Sequence, residues 1–418
     1  MKKPGFKLTK YTCYYTYLAL SSIFALPPLL FLSFKELYGI SYTLLGTLVL
    51  TNFCTQFLVD MVFTAFSKHF NIKTVIRLIP LLTTIGLVIF ALAPYIFPSH
   101  VYLGLLIGTI TFSIASGLCE VFLTPLVAAI PSDNKERDMS TLHSLYAYGF
   151  VTVVIVSSIF FKLFGTENWT YLTLFWALLP MVSFVLYNIA PIPDVNTSAE
   201  KTTPDRAKKR RFGILLCMVC IFLGSAAENT MSNWVSSFVE SALHLPKTVG
   251  DILGMCSFAI LLGLGRTLYA KYGKNITRVL LCGMIGATVC YLIAGISPVP
   301  VVSLIACMIM GFCTSLLWPG TLIMMEENFP NPGVTAYALM AAGGDLGASV
   351  APQMLGIVVD KVTVSQWAIS LAPTLSITPE QLGMKVGMLC AMIFPFMGIF
   401  LVLFIRKKFK KEKPSPLA

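Results

Sequence analysis

Twelve apolar runs, each about as long as a bilayer is thick, constrain the fold of this chain more than any other feature. A helical span needs roughly 20 apolar residues. Runs of that order lie at about 11–34, 41–66, 75–97, 100–130, 138–163, 169–190, 212–239, 248–271, 277–296, 299–325, 335–360 and 383–405. Hydrophobic residues make up 56% of the 418 and charged residues only 12%, against about 25% charged in an average soluble chain. A soluble protein could not cover its surface with so few charges. The runs are continuous rather than alternating, which excludes an outer-membrane barrel. An all-α membrane protein with twelve transmembrane helices is therefore expected.

The net charge of +11 does not point to nucleic acid, because the cations are spread between the apolar runs. They act on topology instead. With a cytoplasmic N-terminus, residues 1–10, 68–77, 131–138, 191–211, 271–278, 326–333 and the tail share one side, and they hold 24 of the 30 Lys and Arg. That bias places a multi-pass protein in the cell (inner or plasma) membrane with both termini cytoplasmic. All eleven cysteines fall inside apolar stretches and read as small hydrophobes. Cys217 and Cys220 form a CxxC mid-helix with no second pair and no nearby histidine, so neither a metal nor a cofactor is expected. No zinc-protease, nucleophile-elbow or Walker pattern occurs, so neither an enzyme nor an ATP-driven pump is supported.

The longest polar interruption, 191–211, ends in Lys208-Lys209-Arg210-Arg211 and divides the chain into blocks 1–190 and 212–418, each with six spans. The blocks share local features. Thr43-Leu44-Leu45-Gly46 opens span 2 and Lys247-Thr248-Val249-Gly250 opens span 8, while Gly117 precedes Pro125 by the same interval as Gly311 precedes Pro319. Two pseudo-symmetric six-helix bundles joined by a basic cytoplasmic linker are expected. A duplicated transporter has this organisation, with its site at the midplane between repeats. The stretch 361–380 reads as the one sizeable outer loop.

Ionisable groups at membrane depth need a cavity, a partner or a proton. At 1.5 Å per residue, Glu120 in span 4, Asp345 in span 11 and Glu228 in span 7 lie ~15, ~16 and ~18 Å from the ends of their spans, close to the midplane. They are candidates for one polar cavity, with structural hydrogen-bonded acids as the plainer reading. Asn52, Gln56 and Asp60 recur every four residues and share one face of span 2. Glu228, Asn229, Ser232, Asn233 and Ser236, beside Trp234, form a polar face on span 7. Amides and rings at this depth suit a hydroxyl-rich solute, or else interhelical hydrogen bonding. His143, in His143-Ser144-Leu145-Tyr146 early in span 5, relays protons or caps the helix. Arg266 lies within span 8 and needs an acceptor; Asp138 or the Tyr146 hydroxyl would supply one in a gate, unless Arg266 snorkels to the headgroups. The glycines of Gly343-Gly344-Asp345-Leu346-Gly347 read as close helix packing.

With these residues in view, the chain resembles the major facilitator superfamily over nearly its whole length. Within it, the chain is similar to the fucose/glucose–proton symporter branch. The likeness rests on Gly117-Leu118-Cys119-Glu120 followed by Pro125, on Leu317-Trp318-Pro319-Gly320, and on Asn52, Gln56 and Asp60. It implies that Glu120 serves substrate binding and proton coupling, that Trp318 belongs to the binding site, and that spans 5 and 8 meet at the boundary between halves. The loop that usually reads Gly-x-Leu-x-Asp-Arg-x-Gly-Arg is here Thr64-Ala65-Phe66-Ser67-Lys68-His69-Phe70-Asn71-Ile72-Lys73. The expectation is a monomeric secondary transporter, a proton-coupled symporter of a sugar or similar small polar solute. Its substrate residues are Asn52, Gln56, Glu120, Tyr146, Glu228, Asn229, Asn233 and Trp318. Glu120 and Asp345 couple to protons; Asp60, Asp138, His143 and Arg266 gate. The alternatives are a proton-coupled drug or metabolite antiporter and a non-transporting receptor on the same scaffold.

Overall fold

The structure, a computed structural model, describes residues 6–66, 71–132, 135–193, 205–329 and 334–409. These residues form helices and connecting turns, with no strand among them. The first six long helices are α1 (Lys7–Tyr38), α2 (Tyr42–Phe66), α3 (Ile72–Ile96), α4 (Val101–Ala129), α5 (Lys135–Phe164) and α6 (Trp169–Ile189). α7 (Asp205–Ser237) follows, and α8 is assembled from Lys247–Val249, a π-helical stretch Gly250–Cys256, and Ser257–Tyr272. α9 (Ile276–Ile296) and α11 (Val334–Thr363) are continuous. α10 comes as Pro300–Thr314 and Pro319–Asn328, and α12 as Pro379–Ala391 and Ile393–Lys408.

Among the described residues, eleven helices are long and apolar enough to cross a membrane alone. Ala336–Thr363 passes that test only together with the stretch ending at Leu375, from which it is bent by 65°. Its own apolarity is lowered by the Gly343-Gly344-Asp345 run and by Asp360.

Both broken helices have the same cause. A proline cannot donate to the carbonyl four residues back and its ring clashes with it. Pro319 thus releases the Ser315 carbonyl, and Pro395 that of Ala391, and each helix breaks at that point. The span expected over 299–325 is present as Pro300–Asn328, with this break inside it. The stretch 361–380 is also more ordered than a loop. α11 runs on to Thr363, a short helix covers Gln366–Leu371, and Thr378 and Gln381 close a capping box at the start of α12. Residues 205–211 of the expected linker form the first turns of α7.

The two sets of six helices are built alike. Gly117 of α4 lies against Gln56 and Val59 of α2, and Gly311 of α10 lies against Phe258 of α8. Gly149 of α5 meets Leu18 and Ser21 of α1, and Gly347 of α11 meets Phe222 of α7. Each pair recurs six helices later, which carries the repeat seen in the sequence into packing. Gly343 and Gly344 serve the same purpose, against Met218 and the Trp318 ring. Gly311→Val would press a side chain into the Phe258 backbone, an overpacking cost of about 1–3 kcal/mol. Its melting temperature in detergent should fall well below that of Gly263→Val, where the added group meets open space. Equal melting of the two variants would refute the tight α8–α10 contact.

Across the midline α2 packs on α11, α5 on α8 and α1 on α7. The expected neighbourhood of spans 5 and 8 is thus present. Trp234 of α7 packs across this midline toward the end that carries Tyr42, its ring 5.2 Å from Phe31 and 5.7 Å from Tyr42. Leu58, Ile159, Leu178 and Phe400 point outward and stay exposed, as side chains facing hydrocarbon must.

Candidate functional site

The polar stripe of α2 divides its work. Asn52 Oδ1 accepts from Ser113 at 2.6 Å and from Gln56 Nε2 at 3.1 Å, and Gln56 Oε1 accepts from Ser116 at 3.1 Å. This ladder ties α2 to α4. Gln56 is fully buried in it and does not line the central cavity.

One turn further on, Asp60 meets Glu120 of α4 and Asp345 of α11. Carboxylate oxygens of the three lie within 4.8 Å of one another, the only such group among the described residues. Asp60 is 6% and Asp345 2% exposed, whereas Glu120 is solvent-accessible. No Lys or Arg among the described residues pairs with any of them. Three like charges at this spacing cannot all stay ionised without a proton or cation between them. Asp60 Oδ1 and Asp345 Oδ2 are buried without a hydrogen-bond partner, and ionised carboxylates can only accept. A shared proton would let one acid donate to the other. Asp60, expected at the gate, thus lies beside the two acids expected to couple.

Above this cluster is a cavity of about 40 Å³ between the two sets of helices. Asn52, Tyr146, Asn229, Ser232 and Asn233 give it polar walls, and Phe24, Phe53, Phe112 and Phe150 give it aromatic ones. Its volume holds about three waters, far short of a sugar ring. Four of the eight expected substrate residues line it: Asn52, Tyr146, Asn229 and Asn233. Glu120 and Glu228 lie outside its lining, as does Trp318, whose ring is packed on Gly344. The phenylalanines were not singled out in the sequence, although Tyr146 and Phe150, four apart, share a helix face and mark this wall.

Tyr146 sits within electrostatic reach of Glu120, Glu228 and Arg266, and its ring meets Phe24 edge-on at 5.6 Å. Arg266 donates from Nη2 to Glu228 Oε1 at 3.4 Å and from Nε to the Ser315 carbonyl at 3.0 Å. The second bond replaces the donor that Pro319 removes from α10. The expected Arg266–Asp138 pair is absent from this conformation. Asp138 instead takes Lys10 at 3.1 Å and the Tyr14 hydroxyl at 3.1 Å. The Ser132 hydroxyl first, then Lys10 and Tyr14, hold its carboxyl below the usual range. The side chain of His143, and the loop residues 67–70, lie outside the described residues.

At the end of the bundle away from the chain termini, the two sets of helices are bolted together, which the sequence did not reveal. Asp360 of α11 accepts from the backbone N–H groups of Tyr42 at 3.2 Å and Thr43 at 2.7 Å, and so caps α2 from the other half. Glu380 takes Lys35 at 2.7 Å, the Tyr42 hydroxyl at 2.6 Å and Ser241 at 3.0 Å. Lys247 reaches the Leu29 carbonyl at 2.6 Å and pairs with buried Asp251 at 3.4 Å, which also accepts from Ser158 and Ser236. Losing a cap costs about 1 kcal/mol, so Asp360→Ala should shift the closed–open balance of this end roughly fivefold. Energy transfer between labels at positions 98 and 298 would register the separation. An unchanged distance distribution would mean that Asp360 does not restrain the closure.

Comparison with known proteins follows the same lines. The family model of the Major Facilitator Superfamily matches residues 14–352. No curated protein matches significantly. Solved structures of similar fold include a bacterial homologue of the human lysosomal transporter Spinster, inward-facing and occupied, with TM-score 0.73 and 13% identity, each chain covered over 100%. A D-xylose–proton symporter has TM-score 0.73 and 15% identity, covering 96% of this chain and 97% of its own. The E. coli fucose:proton symporter has TM-score 0.58 and 12% identity, covering 94% and 99%.

Proposed function

We propose that this chain, which belongs to the Major Facilitator Superfamily, is a secondary transporter that couples proton movement through Asp60, Glu120 and Asp345 to uptake of a small polar, sugar-like solute. The observation that carries this reading is the meeting of three carboxyl groups from both halves beside a cavity with amide and aromatic walls. A shared proton relieves their repulsion, and its loss loosens the α2–α11 contact that crosses the midline. Amides bind hydroxyls in either sense, and rings cover the apolar faces of sugars. The solved structures named for xylose and fucose symport support the same class.

The cavity must enlarge to admit such a solute, which fits rocking of the two sets of helices about it. With both termini cytoplasmic, the bolted end is the external one. One proton crossing 100 mV supplies about 2.3 kcal/mol, enough for roughly fiftyfold accumulation.

The four phenylalanines of the cavity favour a second reading, export of an apolar or cationic compound in exchange for protons. Proteoliposomes under an imposed proton gradient separate the two. Proton symport requires D-xylose, L-fucose or uridine to accumulate and a protonophore to abolish the accumulation. Gradient-driven expulsion of a cationic dye, with no sugar or nucleoside uptake, would establish the antiporter. Accumulation that ignores the protonophore and depends on sodium would remove the proton from the mechanism.

A further inference from the structure

A groove of about 430 Å³ opens between α8, α9 and α10, at the end of the bundle that carries the chain termini. Its walls include Leu268 and Tyr272 of α8, Val279 of α9, and Phe312 and Leu316 of α10, with Lys274 at the turn between α8 and α9. Leu268, Tyr272 and Phe312 are exposed, so the groove faces outward and not into the central cavity. Cys282 lies six residues into α9, so the lining extends ~9 Å below the α8–α9 turn. That is the depth at which headgroups give way to acyl chains.

Charge collects at the mouth. Lys271 holds its Nζ 5.1 Å from the ring of Tyr272, a wall residue. Arg278 follows in the first turn of α9, whose N-terminal dipole adds to the same sign. Lys271, Lys274 and Arg278 are all exposed, and among the described residues none has a carboxylate within 4.0 Å. Two acids lie on the neighbouring end of α10. Glu326 is engaged by the Tyr337 hydroxyl, and Glu327 lies within electrostatic reach of Tyr269, itself in the groove wall, so three cations face one free acid at the mouth.

We propose that this groove binds an anionic phospholipid, its headgroup held by Lys271, Lys274 and Arg278 and an acyl chain laid along the apolar walls. The charge excess selects against zwitterionic lipids, and the depth of the walls selects against a free anion. Basic pockets between transmembrane helices bind anionic headgroups on these terms. The site is separate from the central cavity and does not depend on what is transported.

Native mass spectrometry of the purified protein in detergent tests the assignment. The first phosphatidylglycerol bound should be held roughly tenfold or more tightly than phosphatidylcholine. The triple variant K271A/K274A/R278A should lose that preference. Cys282→Phe, which fills the floor without altering charge, should weaken both lipids. R406A/K407A/K408A, at the exposed end of α12, should keep the preference. An unchanged preference in the first triple variant, or equal loss in both, would overturn the site. So would displacement of the lipid by glycerol phosphate, which lacks acyl chains.

Discussion

Glu120→Gln should abolish uphill uptake, taking the accumulation ratio from roughly fiftyfold at 100 mV to near unity, while solute exchange across the membrane continues. The amide keeps the shape of the side chain and removes its proton. It also relieves the repulsion among Glu120, Asp60 and Asp345, whose oxygens lie within 4.8 Å, so the variant should melt no lower than the parent. Asp345→Asn and Asp60→Asn probe the same cluster from α11 and α2. If Glu120 alone carries the proton, those two should change the pH dependence of uptake and retain some accumulation. Proteoliposome uptake and counterflow, measured side by side, check all three. Full accumulation by Glu120→Gln would take the acid out of the coupling step.

Arg266→Met is expected to damage both fold and transport, because one side chain meets two needs. Its Nε supplies the donor that Pro319 denies to the Ser315 carbonyl, and its Nη2 meets Glu228, whose Oε2 already lacks a partner. An unpaired buried acceptor costs about 1–3 kcal/mol. The Arg266 side chain is 36% exposed, which argues for the lower half of that range for the Glu228 contact. A detergent melt should therefore show a drop of several degrees. Glu228→Gln in the Arg266→Met background separates the two contributions. Recovery of stability assigns the loss to the uncompensated carboxylate; no recovery assigns it to the open break in α10. Arg266→Lys should fall between, since an ammonium cannot reproduce the forked geometry. A fully stable, fully active Arg266→Met protein would reduce Arg266 to an anchor at the headgroups.

Much of this architecture was legible in the chain because hydrocarbon leaves few options. Backbone groups in a bilayer must be satisfied within helices or closed barrels, so twelve continuous apolar runs already amount to a helical bundle. Acids at membrane depth stand out for the same reason, and Glu120, Asp345 and Asp60 are each visible in the chain. Their convergence is not. It depends on α2 lying against both α4 and α11, where the glycines at 117 and 46 permit close approach, and nothing in the local sequence states which helices will touch. Pro319 and Pro395 mark the missing donors behind the breaks in α10 and α12, but Pro180 of α6 and Pro352 of α11 leave their helices unbroken, so a proline alone does not place a break. Nor does the local sequence state that Arg266 repairs one of them.

Binding sites lie further from the sequence than spans do. A period of four marked Asn52, Gln56 and Asp60 as one face, yet only packing sends Asn52 toward the cavity, Gln56 into a ladder with Ser116 and Asp60 into the acid cluster. The bolts at Asp360, Glu380 and Lys247 join residues more than two hundred positions apart, as in Lys247 to Leu29. Span count and the repeat follow from near-neighbour chemistry and the hydrophobic limit of the membrane, which act on each segment separately. The partners of each polar group follow from which faces meet once two sets of six helices close on each other, and that is a property of the assembled bundle.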